Sequence, residues 1–220
     1  MKSIPYTLIR SNRKTIALVI NTEAQLIVRA PFAVSNREIE NLVEKKIAWI
    51  REKQHITASH EEKYAHISWK DGESILYLGN AYTIMQIEID SPLLDGAFLN
   101  VPRNSRKDDI TTWLKNEAKK IISQRTDYYA SFMGTKYECL HLSEARKRWG
   151  SCSTNGSLRF SWKLVMCPLS VIDYVVVHEL AHIAYKNHNS IFWARVKTVL
   201  PNYKEAQNWL NLNRKLIEME

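Results

Sequence analysis

The segment that most constrains this chain is Val175-Val176-Val177-His178-Glu179-Leu180-Ala181-His182, an apolar run ending in two histidines four residues apart. Residues four apart on a helix lie one turn apart on the same face, so the spacing predicts a helix whose two imidazoles converge. That helix is expected to begin after Pro168, with Ser170 as N-cap and Asp173 at the capping-box position, and to run to about Tyr185. A further histidine, His188, follows six residues after His182. A continuing helix would rotate it by about 600°, away from the shared face, so His188 joins the pair only if the helix ends first. Lys186, suited to a helix C-terminus, Asn187, which tolerates a left-handed turn, and Asn189-Ser190, able to cap a new helix, allow that ending.

Three imidazoles with a carboxylate beside them point to metal chemistry. A catalytic zinc ion takes three protein ligands and keeps its fourth position for water. The expected ligands are therefore His178, His182 and His188, with one Zn2+ per chain. Glu179 projects next to the paired histidines, where it would act as general base in the metal-assisted hydrolysis of an amide.

Upstream, Tyr6 to Arg10, Lys14 to Ile20 and Gln25 to Ala30 are β-rich and predict a small antiparallel sheet. Ser35-Asn36-Arg37-Glu38 has capping-box spacing, and Ile39, Leu42, Val43, Ile47 and Ile50 recur at helical intervals, so one helix is expected over about 36 to 54. The polar stretch 55 to 66, with His55, His60 and His66, reads as a loop. Strands at 74–78, 81–89 and 98–101 follow, separated by Gly79-Asn80 and Asp95-Gly96 turns. A long amphipathic helix is expected from Lys107 to Phe132, stopped by Gly134, then strands at 138–145 and 157–164. Helices at 190–200 and 203–217 close the chain. The fold class expected is α+β: a β-rich, antiparallel N-terminal unit with one helix over residues 1–104, then a compact helical unit with a short sheet over 105–220.

Composition narrows the partners. No apolar run approaches the length of a membrane span, and the N-terminus lacks the apolar core of a signal peptide, so no membrane partner and a cytoplasmic location are expected. Three cysteines without a Cys-x-x-Cys pair argue against a disulfide framework. The formal charge of +8 is spread along the chain, densest at Arg146-Lys147-Arg148, and gives a nucleic-acid partner only weak support. The alternative function is accordingly a nucleic-acid-associated protein, either a protease acting on DNA-bound proteins or a metal-binding module without proteolysis.

The stretch Asp173 to His182, with Asn187-His188-Asn189-Ser190 and Phe192-Trp193, resembles the YgjP-like metallopeptidase domain family. Arg148-Trp149-Gly150-Ser151-Cys152 is similar to that family's second signature. The resemblance is strongest from about residue 138 to 210. It implies zinc, a zincin-like scaffold related to SprT-like and WLM-type proteases, and peptide or protein substrates. The metzincin pattern fits less well, because Tyr185 stands where that motif needs glycine. Trp149 and Gly150 are candidate substrate-binding residues, bordering a cleft beside an open strand edge; a tight turn around a buried Trp is the competing reading.

Overall fold

A computed structural model describes residues 4–21, 23–64 and 68–218, with the backbone alone over 56–64. The class is α+β, as expected, and the chain divides into two compact units, 1–66 and 67–220.

In the first unit, β1 (Tyr6–Ser11), β2 (Ala17–Ile20) and β3 (Leu26–Pro31) form a sheet in the order β1-β3-β2. The β2–β3 hairpin turns at Asn21, whose side-chain Oδ1 accepts from the backbone N–H of Gln25 at 2.7 Å, and Ala24 takes a φ of 57°. The sheet is mixed rather than antiparallel: two chain reversals bring β3 back parallel to β1, while β2 runs antiparallel to it. The Ser35–Glu38 capping box starts α1 (Asn36–Lys45) as expected. The single helix of the sequence analysis is in fact two, because Lys46 leaves helical geometry (φ −106°, ψ 12°) before α2 (Ile47–Tyr64) begins. The supposed loop at 55–66 is therefore helical to Tyr64, and His66 lies outside the described residues. Leu26, Val28 and Ala30 of β3 face Ile39, Val43 and Ile50 in one buried cluster.

The second unit opens with a mixed sheet of β4 (Ser74–Tyr77), β5 (Asn80–Ile87), β6 (Leu93–Asp95) and β7 (Phe98–Pro102), in the order β4-β5-β7-β6. The sequence analysis grouped these strands with the N-terminal unit, and β6 went unread. Their attachment to the second unit runs through the β4–β5 turn, where Leu78 (φ 48°) and Gly79 (φ 82°) adopt the double left-handed geometry of a tight hairpin. Their N–H groups donate to the carbonyls of Val165 and Met166, at 2.7 and 3.2 Å. A Cβ on Gly79 would sit 2.7 Å from Pro168 Cγ, so glycine is required by contact as well as by φ.

The long helix α3 (Lys107–Phe132) matches its expected bounds and buries Ile110, Leu114, Ala118 and Ile122 along one stripe. A third mixed sheet, β8 (Leu140–Ser143), β10 (Leu158–Ser161) and β9 (Gly150–Cys152), has β10 in the centre and β9 at an edge. The sequence analysis treated β9 as part of a connection; three residues containing glycine and serine carry no strand signal. A 3₁₀ turn (Trp162–Met166) leads into α4 (Leu169–Ala184), which is buried almost all round: every residue from Val171 to Val177 is buried. Helices α5 (Ser190–Val199), α6 (Tyr203–Leu212) and α7 (Lys215–Glu218) complete the chain. Among the described residues, no helix is long and apolar enough to cross a membrane.

Candidate metal centre

Helix α4 starts differently from the expectation. Pro168 is the N-cap, Ser170 makes no cap, and Asp173 is not a capping-box residue. Asp173 instead takes Arg125 of α3 in a two-pronged ion pair, Nε to Oδ1 at 2.6 Å and Nη2 to Oδ2 at 2.7 Å. This pair is part-buried and ties α4 to the long helix beside it.

The far end of α4 carries the site. Tyr185 ends the helix by turning extended (φ −123°, ψ 97°), whereas a left-handed Asn187 had been expected; Asn187 does not adopt a positive φ. Asn189 then caps α5, its side chain accepting from the Phe192 N–H at 3.0 Å. The short connection swings His188 back over α4. Its Nε2 lies 3.0 Å from His178 Nε2 and 3.1 Å from His182 Nε2. A tetrahedral ion with nitrogen ligands at its ordinary bond length would space them by about 3.3 Å. Among the described residues, these three form the one cluster of potential metal-ligating side chains.

The protonation pattern fits a cation. His182 Nδ1 lies 2.9 Å from the Tyr185 carbonyl, so that nitrogen carries the proton and the Nε2 lone pair faces the centre. Burial, with His182 and His188 close by, pushes the His178 pKa down to about 3, so this ring is neutral at pH 7. Burial also lowers the His182 pKa, against the opposing pull of the Tyr185 carbonyl. A positive ion between the three Nε2 atoms would take a lone pair from each ring. The donor set is that of a three-histidine site.

Beneath the imidazoles lies Phe192, fully buried, its ring centroid 4.6 to 5.0 Å from all three. Trp193 stacks on His188 at 5.6 Å, Tyr203 on Trp193 at 5.4 Å, and Tyr174 on Tyr203 at 6.2 Å. This aromatic file holds the exposed His188 ring from one side. Phe192 and Trp193 lie in the stretch that carried the family resemblance, whereas nothing in the sequence marked Tyr203, because a stacking partner fifteen residues beyond His188 leaves no local pattern.

Glu179 is buried on the side of α4 that faces β9. A Cβ on Gly150 would lie 2.8 Å from Glu179 Oε1 and 2.7 Å from its Cγ, so the bare glycine backbone is what lets the carboxylate fit. Burial pushes the Glu179 pKa up to about 7, with Arg148 drawing it down. Of the two residues taken from the second signature, Gly150 is thus set against Glu179. Trp149 is half-buried and joins the ladder through its carbonyl, which accepts from Ser161 N–H at 2.8 Å. Cys152 is not part of the three-histidine cluster; its thiol lies 3.4 Å from the Ser153 carbonyl, and burial raises its pKa.

Three imidazoles and a buried carboxylate on and beside one helix are the side chains that a metallopeptidase site calls for. The chain belongs to the YgjP-like metallopeptidase domain family, whose model matches residues 14–213. A solved structure, "Crystal structure of the metallopeptidase zymogen of Pyrococcus abyssi abylysin", is similar at 19% identity over 40% of this chain and 90% of that one, with a TM-score of 0.38. A search of curated proteins found no match.

Proposed function

We propose that the chain is a zinc-dependent peptidase in which His178, His182 and His188 hold the metal and Glu179 is the general base. The observation that carries this reading is the meeting of three imidazole Nε2 atoms at 3.0 and 3.1 Å, on the helix that also bears Glu179. When bound, such an ion acts as a Lewis acid that activates water and polarises an amide carbonyl.

The chain's own residues supply the rest. The Tyr185 carbonyl fixes His182 in the Nδ1-protonated form. Glu179 takes a proton from the attacking water and delivers it to the leaving amine; a carboxyl group titrating near neutrality suits both transfers. Gly150 keeps the space that this carboxylate needs.

The substrate is an extended peptide laid along β9. Strand alternation supports this: the Trp149 carbonyl and Ser153 N–H bond toward the β10 side, so the backbone groups of Gly150 and Cys152 point to the open edge.

The test pairs metal analysis with Glu179→Gln. Glutamine keeps the size of glutamate but cannot accept the proton, so hydrolysis of a peptide mixture should fall by about 10² to 10⁴ while zinc stays near one per chain. A variant that loses its zinc makes Glu179 a ligand or a support, and a variant that keeps full activity locates the reaction elsewhere.

A further inference from the structure

We propose that Arg148 and Lys186 select acidic peptides, with Asp or Glu on either side of the bond cut. This rests on the peptidase reading above and adds a substrate class to it.

The two cations bracket the open edge of β9. Arg148 precedes Gly150 by two residues and is exposed. Lys186 follows the end of α4, is exposed, and its Nζ lies 3.5 Å from the carbonyl of Ser153, the residue after Cys152. That carbonyl brings no countercharge. The strand itself, Gly150–Cys152, spans about 10 Å, with Arg148 two residues before it and Ser153 directly after it. A substrate long enough to cover the site therefore passes a positive charge at each end.

Two exposed positive charges so placed set up a field along β9. The stretch of sequence that builds the site is itself poor in acids. From Glu144 to Ser190 the sequence holds three acids, Glu144, Asp173 and Glu179, against six basic residues: Arg146, Lys147, Arg148, Arg159, Lys163 and Lys186. Glu144 is held by Lys115, and Asp173 by Arg125. Glu179 is the proposed base. A peptide with acidic side chains thus meets attraction at both ends of β9, and a basic peptide meets repulsion.

The test uses the full chain loaded with zinc and a set of matched peptides carrying Glu, Gln or Lys at the flanking positions. Two quantities are measured: kcat/KM for the wild type, and binding to zinc-loaded Glu179→Gln by fluorescence anisotropy. Exposed charge pairs each change affinity by a factor of a few, so Glu peptides should exceed Gln peptides by about tenfold, with the gap shrinking at high salt. In the Arg148→Glu, Lys186→Glu double variant the order should reverse; Arg148→Gln and Lys186→Gln, which replace each charge by a neutral amide, should level it. Cleavage without charge preference overturns the proposal and leaves the peptidase reading standing. Selective binding of acidic peptides to Glu179→Gln, with no cleavage of any peptide by the wild type, upholds the charged edge and overturns the peptidase reading. If a single-stranded DNA oligonucleotide displaces the acidic peptides at far lower concentration than they bind, the surface serves nucleic acid and the proposal fails.

Discussion

The β1-β3-β2 sheet and the β8-β10-β9 sheet share one strand plan. In each, a hairpin runs antiparallel and its second strand occupies the centre, parallel to the strand that came first. The helices they meet set them apart. In the N-terminal unit, Ile39 and Val43 of α1 join Leu26, Val28 and Ala30 in an all-apolar cluster. Beside β9, helix α4 presents Glu179, and the strand answers with a glycine. One arrangement thus gives a core in one unit and the proposed reaction site in the other, and the side chains at the helix–strand contact decide which.

The sharpest way to break this contrast is to remove a histidine. His178→Ala, His182→Ala or His188→Ala should each reduce zinc affinity and peptide hydrolysis to near background, as read by metal analysis and turnover. If His188→Ala leaves zinc affinity unchanged, the third ligand lies elsewhere.

In the apolar counterpart, Leu26→Ala should cost about 2 to 5 kcal/mol of unfolding free energy for its unit, measured in urea, because the buried cluster cannot collapse around the void. Zinc content should not change.

Gly150→Ala should do the reverse. The new methyl group displaces the Glu179 carboxylate, and a shift of about 1 Å costs roughly 10² in rate, whereas zinc binding and urea stability should move little. Full activity in this variant would show that the close approach of strand and carboxylate has no catalytic role.

The smallest effect is on the pH dependence of the chelator-treated protein. His178 has a folded pKa of about 3 against an ordinary 6.5, so the unfolded chain binds more protons in that range and stability falls as pH drops from 6.5 toward 3. Glu179 has a folded pKa of about 7 against 4.5, so its contribution is present below 4.5 and lost as pH rises to 7. The two oppose each other between pH 4.5 and 6.5; below 4.5 the Glu179 effect is complete and that of His178 continues, with the burial-lowered pKa of His182 acting in the same direction. Urea unfolding at several pH values should show a shallow profile above 4.5 and a steep loss below it, and Glu179→Gln should steepen the upper range.

Much of the scaffold was legible because its signals are local. The Ser35–Glu38 capping box, the bounds of α3 and the Gly79 and Gly96 turns follow from short-range backbone chemistry and helical periodicity. The mixed strand directions and the three-residue β9 were not legible, because each depends on neighbours distant in sequence; the break at Lys46 carries neither proline nor glycine to mark it. Asp173 shows the same limit: capping-box spacing suggested one partner, and Arg125, 48 residues away, offered a charged one.

The sequence alone determined which groups the proposed site would use: the His178–His182 spacing requires a helix to bring the two rings together, and Glu179 follows from its place between them. It also determined that His188 joins them only if that helix stops. Tertiary structure decided how it stops, with Tyr185 turning extended and its carbonyl orienting His182, and decided that an aromatic file steadies His188. It alone set Gly150 against Glu179, because a contact between a strand edge and a helix 29 residues later is fixed by the packing of a whole sheet and leaves no periodic trace in the chain.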